Sequence, residues 1–515
     1  MNNSAAILRA LIIYAICIPL AIVVGFVAVS AANSPSYANF GAFGMLVLVL
    51  SAPILLRWHH PLLVFSWSLP LTIFFLKGSP QAWLPMMFVS LGISVLQRAM
   101  NKDMRFVSAP QITWPLLCLV AVVLMTAKLT GGIGLHALGS EVMGGKKYVF
   151  LLAGILGFFA LTARQIPPHQ AHLYVALFFL GGCASVLSDL IAFVPPSFYF
   201  IFLFIPPDSY AFTGSADSMR FTGVSSMASV IFLYMLARYG INGIFRGGRP
   251  WRAVAFLLFS TLIFWGGFRS TFLICTLIFS IQFYLEGMHR TKLLPILAFF
   301  GLLGAVICLP MANRLPHSFQ RVLSILPVNI DPLVRADAQG SVDWRIEMWK
   351  ALLPQVPRHL LLGKGYAISP EDFQMMGSDA ALRSIDPAEG SLALSGDYHS
   401  GPLSVILPFG IWGAMAFLWL MIAGVWALHQ NRLHGDPALR TVNTLLFAAF
   451  LAKIISFMFI VGGLSSDLVG FAGYLGLSVS LNGGICRRVR NPAATTVEPP
   501  VRIPARPRLQ PVFQR

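Results

Sequence analysis

Four residues have the types and the placement for phosphate chemistry. They are Arg220 in "SMRFTGVSS", Arg269 in "FWGGFRSTFLI", Arg345 in "SVDWRIEMWKALL" and His399 in "SGDYHSGPLSVILPFGIWG". A guanidinium is a planar fork of donors that matches phosphate oxygens two at a time. An imidazole titrates near neutrality and takes a proton from a positioned hydroxyl. Together they could form a phosphate-binding anion site with a titratable group beside it. Each alone has a plainer explanation. An arginine at the end of an apolar segment is usually an interfacial anchor, and a lone histidine at a helix start is usually a cap or solvated. The set gains meaning only if one architecture puts all four on one side.

The composition dictates that architecture. Hydrophobic residues make up 57% of the chain and charged ones 11%, and apolar runs of about 15–25 residues follow one another with short polar breaks, the pattern of membrane-spanning helices. The predicted fold is an all-α polytopic integral membrane protein with about 12–14 transmembrane helices. The expected spans are 10–30, 40–56, 61–76, 82–97, 111–127, 148–163, 170–194, 223–238, 252–267, 270–285, 293–311, 402–428, 442–462 and 468–485. The first, "ALIIYAICIPLAIVVGFVAVS", is longer than a secretory h-region and reads as an uncleaved span. Residues 1–311 and 402–485 are then membrane units, 312–401 one large external loop, and 486–515 a disordered basic tail rich in Pro and Arg. Six cysteines without a CxxC spacing indicate neither a disulfide framework nor a metal site.

The formal net charge of +17 is a topology signal, not a nucleic-acid footprint. "RAMNKDMR", "RYGINGIFRGGRPWR", "EGMHRTK", "HQNRLHGDPALR" and the tail fall on one side, which the positive-inside rule makes cytoplasmic. The acids do the reverse. Ten of the nineteen Asp and Glu lie between Ala312 and Tyr398. Arg220, Arg269, Arg345 and His399 fall on that outer side, where positive charge is unusual. The spans after Arg220, at Arg269 and after His399 start there, so their N-termini offer backbone N–H groups and positive dipole ends to an anion. Ser270 or Thr271 is the expected cap of the second, and Gly401-Pro402 suits the start of the third. In the loop, Trp344, Met348 and Leu352 recur at i, i+4 and i+8, one face of a helix lying on the bilayer or over a cavity. Ser341 or Asp343 is its expected cap, with Arg345 stacked on Trp349.

Further charges accompany the rim. Lys146 and Lys147 fall outside, as do Lys364 in "GKGY" and Asp397 two residues before the histidine; all are supporting candidates. Asp189 and Lys453 lie within spans and are costly unless paired or facing water. They pair with each other, or Asp189 pairs with Arg220.

These motifs resemble those of the O-antigen ligase and O-antigen polymerase superfamily. "GDYHSGPLSVILPFGIWG" is similar to its histidine segment, through His399, Leu403, Gly410 and Gly413. "WRIEMWKALLPQVPRHLLLGKGY" resembles its loop segment, through Arg345, Trp349 and Gly363 to Tyr366. "FWGGFRSTFLI" and "RFTGVSS" resemble its two further arginine motifs. The four cover roughly Met219 to Gly413. Two departures stand out: Ser400 follows the histidine where Asn is frequent, and fourteen spans exceed the usual dozen or so. The resemblance implies a GT-C-like fold and an inverting, metal-independent glycosyltransferase of the bacterial inner membrane with a periplasmic site and no cofactor. Its donor would be a glycan on undecaprenyl diphosphate and its acceptor a glycan or lipid hydroxyl. His399 would be the base, and Arg220, Arg269 and Arg345 the diphosphate ligands. No Asp-x-Asp motif occurs, so fixed cations must meet the leaving charge. A polymerase extending lipid-linked repeat units would need the same site. A lipid-linked saccharide flippase would instead line its midplane with polar groups and carry repeats, and no internal repeat is evident.

Overall fold

A computed structural model describes residues 37–76, 78–101, 105–130, 145–207, 220–366 and 398–487, with the isolated positions Gly25 and Val29. The expected span at 10–30, Asp397 and the tail from 488 lie outside the described residues. All regular elements described are helical, and the one extended contact is an isolated bridge between Thr72 and Gln81. Among the described residues, seven helices are long and apolar enough to cross a membrane: Trp83–Met100 (α2), Pro110–Thr130 (α3), Pro168–Ala192 (α5), Thr222–Phe245 (α6), Gly401–His434 (α12), α13 within Pro437–Phe459, and Leu464–Asn482 (α14). Three apolar helices are shorter: Pro250–Gly266 (α7), Arg269–Leu285 (α8) and Leu293–Cys308 (α9). Tyr37–Ser66 (α1) and Gly145–Leu161 (α4) complete the bundle. Between α9 and α12 lie His317–Leu323 (α10) and Pro332–Leu352 (α11). The protein is an all-α polytopic membrane protein, as its composition predicts.

The core lies around α4, α13 and α14, where Phe450, Phe471, Leu445 and Leu475 are almost wholly buried. Small residues permit the close approach, as is usual between membrane helices. A Cβ on Gly473 would come 2.3 Å from the Trp67 indole nitrogen, and one on Gly157 would come 2.5 Å from the same ring. By contrast, α9 exposes Phe299, Phe300, Leu302 and Val306. That apolar surface suits lipid, not water.

One expected hairpin is not formed. Residues 40–56 and 61–76 were to be separate spans with "RWHH" as the turn, but α1 runs continuously through Arg57–Pro61. The two histidines are buried within the bundle. His59 Nδ1 lies 2.9 Å from Ser90 Oγ, and His60 Nε2 lies 2.9 Å from the Leu161 carbonyl. Most of the second apolar run is not helical. The helix stops at Ser66, Trp67 wedges between Gly157 and Gly473, and residues 67–82 form turns held by Thr72 N–H donating to Phe204 O at 2.6 Å. Pro70 and the Gly78-Ser79-Pro80 turn, with positive φ at Gly78 and Ser79, exclude a continuous helix there.

The decisive local feature is a break in α12. Gly410 has φ 62°, ψ −159°, and Pro408 precedes it. The freed backbone groups are satisfied by the loop instead: Lys364 N–H donates to Leu407 O at 2.8 Å, Gly365 N–H to Pro408 O at 2.9 Å, and Ile411 N–H to Leu360 O at 2.7 Å. Buried backbone polar groups need such partners. "GKGY" and "PFGIWG" are thus two halves of one joint. A Cβ on Gly363 would stand 2.2 Å from Pro408 O, and one on Gly365 2.2 Å from Thr130 Oγ1. Tyr366 closes it, its N–H donating to the Tyr148 hydroxyl at 2.9 Å and its ring edge-on to Phe409.

Gly363, with φ +74°, cannot accept a side chain without breaking this joint. Gly363→Ala is therefore expected to lower the detergent-solubilised protein's Tm by several degrees. Gly340→Ala, in the middle of α11 with nothing within 4 Å of its Cβ, is expected to be neutral or to stabilise by roughly 0.5–1 kcal/mol. Equal effects in the two thermal melts would contradict the joint.

Candidate active site

Most of the site is assembled along α11. Asp331 caps this helix, its carboxylate accepting from Leu333 N–H at 2.8 Å, and Pro332 occupies the first turn. The helix therefore begins well before Ser341 and Asp343, which lie inside it rather than capping it. Its inward stripe is Val334, Ala338, Ser341, Arg345, Met348 and Leu352 at alternating three- and four-residue steps. The expected Trp344–Met348–Leu352 face is real, but only its C-terminal half is apolar enough to show in sequence.

The first half of α11 collects arginines. Arg220, just before α6, places Nη2 3.4 Å from Asp337 Oδ2, and Arg321 of α10 pairs with the same oxygen. Arg269, the first residue of α8, donates to the Ala338 carbonyl at 3.0 Å. Arg335 donates to Val328 O. Arg269, Ser324, Arg335, Ala338, Gln339, Val342 and Asp343 line a small open cleft of about 160 Å³. Beneath run aromatic rings: Phe221 is edge-on to Trp265, Trp265 edge-on to Phe319, and Phe319 stacked on Phe264. Arg220 and Arg321 therefore project from backbone fixed by ring packing.

The second half of α11 holds the histidine. Met348, Leu352, Tyr398, Leu403 and Leu407 form a buried apolar cluster between α11 and the start of α12. The Trp349 indole N–H donates to the Tyr398 carbonyl at 2.8 Å. Trp344 meets the His399 ring edge-on, centroids 5.6 Å apart. His399 has φ +47°, a left-handed conformation unusual for a residue with a Cβ. Gly401 follows at the start of α12, with Pro402 in the first turn as expected. Its Cα position admits no Cβ, which would lie 2.2 Å from Phe457 O. The six or seven residues from Asp337 and Ala338 to Trp344 span about 9–10 Å, and Arg345 sits just beyond on the inward stripe. One helix thus touches Arg220, Arg269 and His399 and carries Arg345.

The other described candidates have contacts of their own. Asp189 accepts from Gly223 N–H at 3.0 Å and Val224 N–H at 2.7 Å, capping α6 from α5. A Cβ on Gly223 would come 2.2 Å from Ser185 O, which explains the Arg-x-x-Gly spacing. These amides are therefore taken by a carboxylate and not offered to a ligand. The proposed Asp189–Lys453 pair is not made: Lys453 Nζ lies 2.6 Å from Asp467 Oδ1, at the start of α14. Ser270 and Thr271 do not cap α8, which begins at Arg269 after Phe268. Lys146 lies 3.4 Å from Gly78 O, and Lys147 sits 5.7 Å over the Tyr366 ring. Lys364 contributes its backbone to the α12 joint. Sequence reading missed Arg321, Arg335 and Asp337. They carried a usable signal, being arginines and an acid within the same loop, but they stand at no span end.

Residues 254–418, about a third of the chain, match the model of the O-antigen ligase (Wzy_C) family. This segment is similar to that family. No curated protein matches the chain. The matched segment runs from α7 into α12 and contains Arg269, Arg321, Asp337, Arg345, His399 and the Gly410 joint, while Arg220, Lys146, Lys147, Asp189 and Lys453 lie beyond it. The match supports a membrane enzyme of O-antigen or polysaccharide biosynthesis.

Asp189→Ala removes the α6 cap next to Arg220 and is expected to cost about 0.5–2 kcal/mol of stability, read as a lower Tm. Asp189→Asn, which keeps an acceptor, should recover most of it. No difference between the two melts would refute the capping role.

Proposed function

We propose that this chain transfers a glycan from undecaprenyl diphosphate to an acceptor hydroxyl at the periplasmic face of a bacterial inner membrane, inverting the anomeric centre without a metal. The observation that carries this reading is the single helix α11, which meets Arg220 and Arg269 at one end and His399 at the other. In a single displacement, His399 takes the proton from the acceptor hydroxyl as its oxygen attacks the anomeric carbon. The bond from that carbon to the diphosphate oxygen breaks on the opposite face, which inverts the configuration. Undecaprenyl diphosphate leaves with the electron pair, and Arg220, Arg269 and Arg345 receive its charge. Fixed cations of this kind stabilise the transition state without reorganising.

The sidedness rests on charge. Arg98, Arg164, Arg246, Arg249, Arg290, Lys292 and Arg440 lie at the end of the bundle away from α11, close to contacts such as Ile166 N–H to Ser480 O. That pattern supports a cytoplasmic tail end and a periplasmic α11. A polymerase differs only in its acceptor, a second lipid-linked repeat, and would use the same residues. The flippase reading loses ground because the two intramembrane charges it would need for a path, Asp189 and Lys453, are engaged in a helix cap and an ion pair.

His399→Ala is expected to lower kcat by about 10²–10⁴ at normal expression and folding. Arg269→Lys should also impair transfer, because a lysine cannot make the bidentate contact. Chelation with EDTA should leave the rate unchanged. Transfer assays with purified protein and a lipid-diphosphate-linked glycan check all three, and a fully active His399→Ala enzyme would overturn the assignment. Glycan profiles of a deletion strain separate the two reactions. Long lipid-linked chains without transfer mean a ligase; single repeats on the acceptor, with no ladder, mean a polymerase.

A further inference from the structure

The pairing of Arg220 and Arg321 on one carboxylate has a consequence for how an anion enters. Both guanidiniums converge on the same oxygen, Oδ2 of Asp337. The two arginine side chains are only 16% and 14% exposed, whereas Asp337 is 56% exposed. The cations thus form the floor and the carboxylate the removable side of the arrangement. The floor has its own supports. Phe221, next to Arg220, and Phe319, two residues before Arg321, both pack on Trp265. A Cβ on Gly267 would lie 3.6 Å from the Arg321 Cδ, so α10 is also seated on the α7–α8 turn. The backbone that carries each arginine is thus held by contacts other than Asp337.

The neighbourhood points the same way. One carboxylate oxygen meets both guanidiniums, and Arg269 and Arg335 line the cleft at Ala338, the residue after Asp337. Guanidiniums pair well with multidentate anions, and a diphosphate supplies several acceptor oxygens where Asp337 supplies one shared atom. We propose that Arg321 is an additional phosphate-binding guanidinium of this site and that Asp337 is a placeholder carboxylate, holding Arg220 and Arg321 until the diphosphate displaces it. This rests on the reading of the site as a diphosphate-binding transferase and adds to it a cation and an exchange step. The exchange makes and breaks ion pairs only. When the product diphosphate leaves, Asp337 recaptures the arginines and so assists release.

The placeholder has a signature opposite to that of a purely structural residue. A carboxylate that merely positions the arginines would, when removed, weaken anion binding. A carboxylate that competes for them would, when removed, strengthen it. The test uses the full-length protein in lipid nanodiscs with inorganic pyrophosphate as probe, read by calorimetry and by inhibition of transfer. Asp337→Asn is expected to tighten pyrophosphate binding by about two- to fivefold, the worth of a partly exposed ion pair, and to lower the KM for the lipid-diphosphate donor. Asp337→Glu should bind like the parent, and Arg321→Gln should weaken pyrophosphate binding in either background. Unchanged or weaker pyrophosphate binding in Asp337→Asn, in a protein that still transfers glycan, overturns the placeholder and leaves the transferase reading standing. Unchanged binding in Arg321→Gln overturns the added cation. If neither parent nor Asp337→Asn binds pyrophosphate or transfers glycan, the proposal falls together with the reading beneath it.

Discussion

The site depends on a few backbone hydrogen bonds in the membrane-embedded part of the chain. A helix in lipid cannot leave carbonyls and amides unpaired, yet α12 is broken at Gly410. The segment Leu360–Gly365 supplies the missing partners, and in doing so fixes part of the α9–α12 connection to the bundle. Because α11 leads directly into this segment, the joint also limits where α11 can lie. The apolar cluster of Met348, Leu352, Tyr398, Leu403 and Leu407 then completes the docking. The two O-antigen ligase-like motifs on either side of the loop make sense as one device: glycines that admit backbone against backbone, and a tyrosine that seals them.

Charge is handled in two different ways. Within the described helices, several ionisable groups meet structural partners. Asp189 caps α6, Lys453 meets Asp467, and Glu286 accepts from Ile241 and Asn242 N–H where α6 is broken at Gly240. Left unpaired, such groups would be costly. At the loop end Arg220 and Arg321 converge on the exposed Asp337, and Arg269 and Arg335 line an open cleft with Asp343. That gathering of arginines on one helix separates the candidate site from its surroundings.

Much of this could be read from sequence, for identifiable reasons. Apolar run length gave most of the helices, because lipid enforces both composition and length. Charge asymmetry assigned Arg220, Arg269, Arg345 and His399 to one side, and the structure has all four on or against α11. Hydropathy failed where an apolar run is not a helix: Leu69–Leu76 is as greasy as a span but is stopped by Pro70 and the wedge at Trp67. It also failed in reverse at "RWHH", where polar residues looked like a turn but are buried against Ser90 and Leu161. The polar first half of α11 was invisible because nothing apolar marks its face before Trp344. Asp331-Pro332 was the overlooked start signal. Arg321 and Asp337 were missed because ion pairs between loop segments leave no periodicity.

The account's central claim is that α11 holds the arginines and the histidine in one site. A side-chain-resolution electron cryomicroscopy map of the protein in a lipid nanodisc tests this most directly. The account predicts α11 seated across the loop end, with Trp344 edge-on to His399 and Asp337 between Arg220 and Arg321. An α11 lying apart on the membrane surface, with His399 and the arginines facing different spaces, would contradict it.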